Sequence, residues 1–249
     1  MCPSIVCAAA EKDRRGCRIY CLTHAIWWPY GADRVPIQGD FKITCKYDGR
    51  NKAMSELITD PIAQFSAWYG EAEAAEAKNP GAMTLATATT DGRPSARMVL
   101  LKGHSADGFI FYTNLNSPKA AELAANSHAA LCFYWKTLAR QVRVDGPVEA
   151  VTEDQADAYF ASRARGSQIG AWASDQSQPL PSRALLENRA DEYEAKFPTG
   201  EVSRPPFWSG FRVVPERIEF WTERSDRLHD RQLFERTGGG GWRESWLYP

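Results

Sequence analysis

The sequence predicts a mainly β, α+β fold in which about six antiparallel strands close into a barrel with peripheral helices. Three observations predict it. From about residue 80 onward, short runs of apolar and β-branched residues recur between Gly, Pro and Asn turns. About six such runs share the chain with two or three segments of helical spacing, a combination that suggests a closed antiparallel barrel with helical additions. No period of 20 to 50 residues indicates a repeat architecture.

Residues 1–45 show no sustained period and mix Pro, Gly and aromatic residues. This composition predicts an irregular or disordered N-terminal extension, followed by one domain over 46–249. Five of the six cysteines lie in this extension, but their CxxxxC and CxxxC spacings lack the paired CxxC pattern of zinc sites. We therefore expect no metal, and a reduced, cytoplasmic protein without a secretory signal.

The first predicted helix lies in "SELITDPIAQFSAWYGEAEAAEAK", where Asp60 is the expected N-cap and Pro61 the first helical residue. Apolar residues from Ile62 to Ala72 then recur at helical spacing. After "NPG" the sequence pattern becomes typical of β-strands. "AMTLATAT" and "SARMVLLK" predict a hairpin with Asp91-Gly92 at its tip, and "GFIFYT" predicts a third strand.

The second half alternates short helices with strands. "NSPKAAELAAN" predicts a helix capped by Ser117, and "HAALCFYW" and "RQVRVDGPVEAV" predict strands, the second bent at Gly146-Pro147. Thr152 and Gln155 form a capping-box pattern for the helix that ends near "YFASRAR". "SRALLENRADEYEAKF" predicts another helix, and "FWSGFRVVPERIEFW" returns to strands.

Net charge is −1, from 30 basic and 31 acidic residues, so no general nucleic-acid or membrane surface is expected and any anion site is local. Cations nevertheless gather in three places. Lys119 occupies a helix first turn, where only a bound anion would favour it. "SRARGSQIGAWASDQS" places donors around two glycines and suggests a loop that closes over an anionic ligand, and "RSDRLHDR" holds three arginines and a histidine. Each cation alone is explained by solvent exposure, but together they favour phosphate recognition.

Motifs of common catalytic sites are absent from the sequence. There is no GxGxxG after a strand, no GxxxxGK[ST], no nucleophile elbow and no HExxH. A polar barrel with phosphate-sized donor clusters and no evident nucleophile predicts that a bound cofactor carries the chemistry.

Six motifs together resemble the pyridoxamine/pyridoxine 5′-phosphate oxidase family. They are "RMVLLK", "FYTNLNSPKAAELAAN", "FYWKTLARQVRVDG", "YFASRARGSQIGAWASDQS", "PPFWSGFRV" and "IEFWTERSDRLHDR". The similarity runs from about Tyr47 to the C-terminus. It implies a homodimer of six-stranded split barrels, with FMN at the subunit interface and no metal. The implied reaction converts pyridoxamine or pyridoxine 5′-phosphate to pyridoxal 5′-phosphate by hydride transfer to flavin N5, with O2 as final acceptor giving H2O2, in vitamin B6 synthesis and salvage.

The resemblance also implies roles for individual residues. The flavin contacts, some of them from the second subunit, would come from Arg97, Met98, Val99, Leu100, Leu101, Lys102, Tyr112, Thr113, Lys119, Gln141, Gln176, Ser177, Trp221 and Arg231. The substrate contacts would come from Tyr47, Lys102, Tyr159, Arg163, Ser167, Arg227 and His229. Arg227 and His229 are the candidate catalytic residues, and the resemblance leaves open whether His229 accepts a proton or only orients the substrate.

The sequence departs from the family pattern at four positions. Pro118 stands where "SRK" has arginine, Ala164 where "SRPR" has proline, Thr44 where an N-terminal "RxxY" has arginine, and Trp246 where "RLxP" has arginine. Each lost charge-assisted contact is expected to cost about 1–3 kcal/mol. Weaker FMN retention is the expected result.

Three alternatives compete with this interpretation. A phenazine-type flavin oxidase on the same barrel would not need the substrate-phosphate set. A non-catalytic split barrel that binds flavin, haem or pyridoxal phosphate would not need the arginine and histidine of "RLHDR". A nucleic-acid-binding barrel would need a basic stripe with exposed aromatic residues, which the net charge disfavours.

Overall fold

The computed structural model of the protein describes residues 10–13, 16–19 and 60–249. The chain divides into two compact units, 1–49 and 50–249. In the first unit, β1 (Ala10–Asp13) pairs with β2 (Gly16–Ile19) in antiparallel register. The remainder of the expected N-terminal extension, including the proposed boundary between residues 45 and 46, lies outside the described residues. The division into an extension and an oxidase domain therefore stays a prediction.

Helix α1 (Pro61–Ala75) forms as its sequence predicts. The Asp60 carboxylate accepts a hydrogen bond of 2.9 Å from the backbone N–H of Ile62, and a proline occupies the first helical position. Phe65 is fully buried, and its ring lies edge-on to Phe109 at a centroid distance of 4.8 Å. Through this ring α1 contributes directly to the main hydrophobic core.

Over residues 60–249, the second unit contains ten strands and four further helices. The strands are β3 (Ala82–Ala88), β4 (Pro94–Leu100), β5 (Gly103–Ser105), β6 (Gly108–Asn114), β7 (His128–Trp135), β8 (Arg140–Ala150), β9 (Trp208–Val213), β10 (Arg217–Thr222), β11 (Asp230–Arg236) and β12 (Trp242–Trp246). The helices are α2 (Pro118–Ala125), α3 (Glu153–Ser162), α4 (Arg165–Ala173) and α5 (Arg183–Lys196).

Six strands curl into a half-barrel, which confirms the predicted fold class. β4, β3, β7 and β8 are neighbours in that order, and all their pairings are antiparallel. The last residues of β8 pair with β9, which pairs with β6. The backbone N–H of Lys102, just after β4, donates to the carbonyl of Ile110 in β6 at 2.8 Å. β10, β11 and β12 extend the sheet beyond β8, which the sequence indicated only in part.

The long strand β8 belongs to both parts of the curled sheet because it bends at Gly146. A Cβ atom at this position would lie 1.9 Å from the carbonyl oxygen of Val214. Only glycine therefore fits where the two chain segments approach each other this closely. The predicted bend at Gly146-Pro147 thus has a packing cause.

The segment around Gly166 and Gly170 is a helix, and the expectation of a loop here is wrong. Ile169 and Ala173 are buried four residues apart on one face of α4, while both glycines lie on the exposed side. Arg165 joins α4 to α5, because its Nε donates to Glu194 at 2.7 Å. Burial of the apolar face stabilises the helix by more than the two glycines destabilise it, since each glycine within a helix costs only about 1 kcal/mol.

Helix α3 begins with the predicted capping box. The Thr152 hydroxyl accepts from the Gln155 N–H at 3.2 Å, and the Gln155 side-chain oxygen accepts from the Thr152 N–H at 3.3 Å. We expect Thr152→Ala to lower the free energy of unfolding by about 1 kcal/mol, measured by urea denaturation. Thr152→Ser keeps the hydroxyl and should stay near wild type. Equal stability of the alanine variant and wild type would contradict this account of the cap.

The described residues contain neither a membrane-length helix nor a cluster of metal-ligating side chains. Within 10–13, 16–19 and 60–249, no helix is long and apolar enough to cross a bilayer. The same ranges contain no group of three or more His, Cys, Asp or Glu side chains placed to hold a metal ion.

Candidate functional site

Three predicted flavin contacts meet around the first turn of α2, in what we call the lysine cluster (Thr113, Ser117, Lys119 and Gln176). Lys119 is only 8% exposed, and its Nζ donates to the Gln176 side-chain oxygen at 2.8 Å and to the Ser117 hydroxyl at 3.2 Å. The Thr113 hydroxyl donates to the same Gln176 oxygen at 3.0 Å. The cluster joins β6, α2 and the segment after α4.

The ammonium of Lys119 lacks the usual compensation for its burial. Within the described residues, its hydrogen-bond acceptors are a neutral amide and a hydroxyl, and no carboxylate bonds to it. Burial lowers the pKa of Lys119 from its ordinary value, the nearby Arg97 charge lowers it further, and Glu122 partly opposes both. A buried cation without a bonded carboxylate is unfavourable, so a bound anion would stabilise this cluster.

Arg97 lies on β4, near enough to influence Lys119, but its guanidinium is already engaged. Its Nη2 donates to Glu122 at 3.0 Å and to the Ser95 hydroxyl at 2.6 Å. Residues 98–101 follow Arg97 along β4 and just past its end. Their backbone groups are the predicted contribution of this segment to the flavin site. Met98 and Leu100 are exposed there while Leu101 is buried. Among residues 60–249, β3 is the strand that pairs with β4, which leaves the other edge of β4 open to a ligand.

Predicted substrate contacts converge in a second group, the aromatic cluster (Tyr112, Tyr159, Trp208, Lys102 and Arg163). The Tyr112 ring stacks on Tyr159 at a centroid distance of 4.1 Å and on Trp208 at 5.2 Å. Lys102 Nζ lies 5.9 Å from the Tyr159 ring centroid, and the Arg163 guanidinium lies 4.9 Å from that of Trp208. Two cations are thereby held against the same set of rings.

A close approach of strands allows this stacking. Tyr112 of β6 and Gly210 of β9 are cross-strand partners. A Cβ atom on Gly210 would lie 2.6 Å from the Tyr112 ring. The glycine in "PPFWSGFRV" therefore lets the tyrosine lie flat over β9 beside Trp208.

Arg163 is the least compensated cation of the aromatic cluster. It is half-buried at the end of α3, its Nη1 is buried without a hydrogen-bond partner, and burial lowers its pKa. Together with Ser167 and Gln176 it lines a cleft of about 300 Å³. Since buried donors are almost always paired in native proteins, this nitrogen indicates a place for an acceptor that the described part of the chain does not supply.

Three further flavin candidates form the outer row, a line of cross-strand partners on one face of the sheet. Gln141 of β8 pairs with Trp221 of β10, which pairs with Arg231 of β11. Arg231 Nε donates to Glu219 at 2.7 Å, and this hydrogen bond is the main cause that raises the Arg231 pKa. Arg143 bonds to the same carboxylate at 3.4 Å. The row thus has an indole at its centre, and Glu219 holds the arginine at its end.

The octet "RSDRLHDR" connects β10 to β11 and brings the two candidate catalytic side chains to the end of the outer row. The His229 ring lies 4.7 Å from the Trp221 ring, and its Nδ1 accepts from the backbone N–H of Arg224 at 3.2 Å. Asp226 and Arg227 have φ values of 56° and 62°, a left-handed conformation that costs non-glycine residues of order 1–3 kcal/mol. Arg227 is exposed in this turn.

A single chain does not bring all predicted residues together. Among the described residues, no hydrogen bond or ring contact joins the outer row to the lysine cluster or the aromatic cluster. Ser177 is exposed with a φ of 67°, adjacent to Gln176. Tyr47 and Thr44 lie outside the described residues. Pro118 occupies the first position of α2 beside Lys119, and Trp246 is 64% exposed in β12.

Three structurally important residues were not among the candidates. Trp208 supports Arg163, Glu219 anchors Arg231, and Glu122 anchors Arg97. Glu219 had a signal in the sequence, because a carboxylate inside the apolar strand "RIEFW" is expected to pair with a cation. Glu122 had no such signal, because a charged residue in the predicted helix "PKAAELAA" is ordinarily exposed to solvent.

A larger open groove of about 480 Å³ lies where β3 ends and β7 begins, beside Asp145 and Gly146 of β8. It is lined mainly by small side chains, with Asp145 and Arg217 at one side. None of the candidate residues lines this groove, so its size does not make it the functional site.

Comparison with family models covers most of the second unit. Residues 69–197 match the model described as pyridoxamine 5′-phosphate oxidase. Residues 208–249 match the model described as the pyridoxine 5′-phosphate oxidase C-terminal dimerisation region. The first match contains the lysine cluster and most of the aromatic cluster, and the second contains Trp221, Arg227, His229 and Arg231.

Two curated relatives carry the name pyridoxine/pyridoxamine 5′-phosphate oxidase. The protein of Sphingopyxis alaskensis is 62% identical over 195 residues, which cover 78% of this chain and 90% of the relative. The protein of Rhodospirillum rubrum is 60% identical over 195 residues, which cover 76% of this chain and 96% of the relative.

Two solved structures share the fold. PhzG from Burkholderia lata 383, in complex with tetrahydrophenazine-1-carboxylic acid, is 33% identical with a TM-score of 0.73, and covers 78% of this chain and 95% of its own. A pyridoxamine 5′-phosphate oxidase-related, FMN-binding protein from Nostoc punctiforme PCC 73102 is 17% identical with a TM-score of 0.62, covering 76% and 98%, and shows the fold alone.

Proposed function

The chain belongs to the pyridoxamine 5′-phosphate oxidase family and is an oxidoreductase, and from this premise we propose that it uses FMN to oxidise pyridoxamine and pyridoxine 5′-phosphate to pyridoxal 5′-phosphate. The proposal includes O2 as final acceptor, a homodimer with FMN at its interface, and a place in vitamin B6 synthesis and salvage. A cytoplasmic location is also part of the proposal.

One observation carries the proposed substrate class. Arg163 is a half-buried cation with a buried, unpartnered Nη1, and it faces a cleft shared with Ser167. Lys102 reaches the same rings from the other side. A phosphate monoester supplies several acceptor oxygens and the negative charge that this guanidinium lacks. The aromatic cluster therefore suits the phosphate end of a B6 ester.

The residues present also fit FMN. The lysine cluster supplies an ammonium, two hydroxyls and an amide around the start of α2, which is the donor set for a second phosphate and a ribityl chain. The open edge of β4 offers backbone groups beside it. An isoalloxazine ring, which is flat and has hydrogen-bonding edges, matches the indole and side-chain donors of the outer row.

Bound FMN would supply the two-electron chemistry, since it accepts a hydride at N5 and passes the electrons to O2 as H2O2. In the alcohol reaction, pyridoxine phosphate and O2 give pyridoxal phosphate and H2O2. In the amine reaction, one water also enters and ammonia leaves. The protein's part is to hold the reacting carbon of the substrate against the flavin ring, in the orientation that hydride transfer requires.

His229 is suited to orient the substrate. Its Nδ1 accepts a backbone N–H, so a neutral ring carries its proton on Nε2 and donates from that atom. In this state Nε2 is a hydrogen-bond donor to the substrate's oxygen or nitrogen and is not a base. Arg227, exposed in the same turn, adds a second donor. We assign both residues to orienting the reacting carbon.

The proposed interface places the outer row of one subunit against the lysine cluster of the other. Residues 208–249 match a dimerisation region, and this segment contains Trp221 and Arg231. Met98 is 63% exposed and Tyr134 56% exposed on the same face of the sheet as the outer row. A second copy would cover these side chains and join clusters that one chain keeps apart.

Product analysis tests this function. The FMN-saturated protein is incubated with pyridoxine phosphate or pyridoxamine phosphate in air, and pyridoxal phosphate and H2O2 are quantified. We expect equal amounts of the two products from either ester. Absence of pyridoxal phosphate from both esters would contradict the proposal and favour a binding protein or a phenazine-type oxidase. The 33% identity to PhzG, against 62% to the Sphingopyxis relative, supports the B6 ester.

Pro118 is expected to weaken FMN retention, because it replaces a cation beside Lys119. We expect Pro118→Arg to bind FMN about tenfold more tightly in a titration that follows quenching of flavin fluorescence, as one charge-assisted hydrogen bond would contribute about 1.5 kcal/mol. The first helical turn tolerates residues other than proline. Riboflavin, which has no phosphate, should bind both proteins alike. Unchanged FMN affinity would contradict a role for this position.

A further inference from the structure

Glu122 of α2 occupies an unusual position beside the proposed flavin phosphate site. Its side chain is only 14% exposed. One of its oxygens, Oε2, accepts from Arg97 Nη2 at 3.0 Å, from the Ser95 hydroxyl at 2.7 Å, and from the Thr87 hydroxyl. Hydrogen bonds from Thr87, Ser95 and Arg97 lower the Glu122 pKa against the opposing effect of burial, so the group is a carboxylate. No step proposed above uses it.

These contacts determine where the Arg97 guanidinium lies. Nη2 is shared between Glu122 and the Ser95 hydroxyl, and Nη1 donates to the Thr87 hydroxyl and, at 3.3 Å, to the Leu85 carbonyl. Within the described residues, Nε makes no hydrogen bond. A long side chain that would otherwise sample many rotamers is therefore held in one orientation, with part of its donor set unused.

Glu122 also lies one helical turn after Lys119 on α2. Arg97 is bonded to Glu122 at 3.0 Å, so its guanidinium lies against the same helical turn that carries Lys119. In keeping with this, the Arg97 charge lowers the Lys119 pKa, and Glu122 opposes that effect. Without a ligand, two neighbouring cations would tend to move apart. The carboxylate therefore keeps Arg97 next to Lys119 before any phosphate arrives.

We propose that Glu122 is a positioning residue for the phosphate of FMN, acting through Arg97. It prepares the guanidinium for a phosphate monoester and does not touch the ligand's reacting atoms. This inference rests on the proposed function, because it assumes that Arg97 and Lys119 receive the FMN phosphate. The advantage of such preorganisation is that binding does not have to restrict the arginine side chain.

The test compares Glu122→Gln with Glu122→Ala in the full-length protein stripped of flavin. Both substitutions remove the negative charge, but only glutamine keeps an oxygen that accepts from Arg97, Ser95 and Thr87. FMN and riboflavin are titrated separately by quenching of flavin fluorescence, and the preference is the ratio of the two affinities. Riboflavin reports any general damage to the site, because it lacks the phosphate.

We expect the preference for FMN over riboflavin to be about tenfold higher in Glu122→Gln than in Glu122→Ala, with riboflavin affinity equal in the two variants. Equal preferences in the two variants would overturn the inference. So would a loss in Glu122→Ala that affects both flavins equally, because this would show a purely structural role. Should Glu122→Ala fail to fold, Ser95→Ala takes its place: a lower preference than wild type supports the inference, and an unchanged one overturns it.

The wild-type protein separates this inference from the proposed function. If wild type itself shows no preference for FMN over riboflavin, the proposed flavin phosphate site is wrong, and the proposed role of Glu122 is wrong as well. If wild type prefers FMN and the two Glu122 variants do not differ, the proposed function stands and only the positioning role is wrong.

Discussion

Replacing Arg163 by alanine should raise the KM for pyridoxine 5′-phosphate about 100-fold while kcat changes by less than about tenfold. The half-buried guanidinium has an unpartnered Nη1 and no carboxylate within the described residues, so its strongest available partner is the substrate phosphate. Loss of one such charge-assisted contact costs about 2.7 kcal/mol, which corresponds to about 100-fold. The phosphate lies away from the reacting carbon, so most of the loss should appear in binding.

Arg165 provides the matched control, since it is two residues away on the same chain segment. Its guanidinium bonds to Glu194 and to the carbonyl of Gly200 near the end of α5. Arg165→Ala should reduce stability and leave KM within about threefold of wild type. An unchanged KM in Arg163→Ala, or equal effects of the two variants on KM, would remove Arg163 from the substrate site.

Replacing Lys119 by methionine should weaken FMN binding about 100-fold in a fluorescence titration, by the same reasoning from one lost charge-assisted contact. Methionine has a similar length and tolerates burial, so the fold should be kept. Riboflavin affinity should change much less. Lys136→Met, at an exposed position after β7, is the control and should bind FMN as wild type does. Wild-type affinity in Lys119→Met would contradict the lysine cluster as the phosphate site.

The pH dependence of FMN binding gives the same site a second test. Burial and the Arg97 charge lower the pKa of Lys119, so in the flavin-free protein the ammonium loses its proton at a lower pH than an exposed lysine does. The charge that attracts phosphate is present below this pKa and lost above it. FMN affinity should therefore fall as pH rises through the lowered pKa. Lys119→Arg, which stays charged, should show less of this alkaline loss.

Much of the fold could be predicted because local signals agree with the final packing. The Asp60 cap, the Thr152 capping box and the Asp91-Gly92 hairpin are short-range features that the surrounding fold does not override. The helix α4 could not be predicted from its local sequence. Its two glycines and dense donors imitate a loop, and only the burial of Ile169 and Ala173 decides the conformation.

The site was predicted as a set of residues but not as an arrangement. The family motifs pointed to Lys119, Gln176 and Thr113, and the structure brings these three into direct contact. The carboxylates that hold the arginines in place were missed. A pairing such as that of Arg97 with Glu122 joins residues 25 positions apart, and no periodicity links them. Such pairings depend on tertiary contacts between a strand and a helix.

The central claim is that this protein passes electrons from a phosphorylated B6 compound to its own bound flavin. The most direct test mixes the FMN-loaded protein with pyridoxine 5′-phosphate in the absence of oxygen and follows the flavin absorbance. We predict that the yellow colour bleaches, that one pyridoxal 5′-phosphate forms per flavin, and that the colour returns when air is admitted. A flavin that stays oxidised with both pyridoxine and pyridoxamine phosphates would contradict the claim.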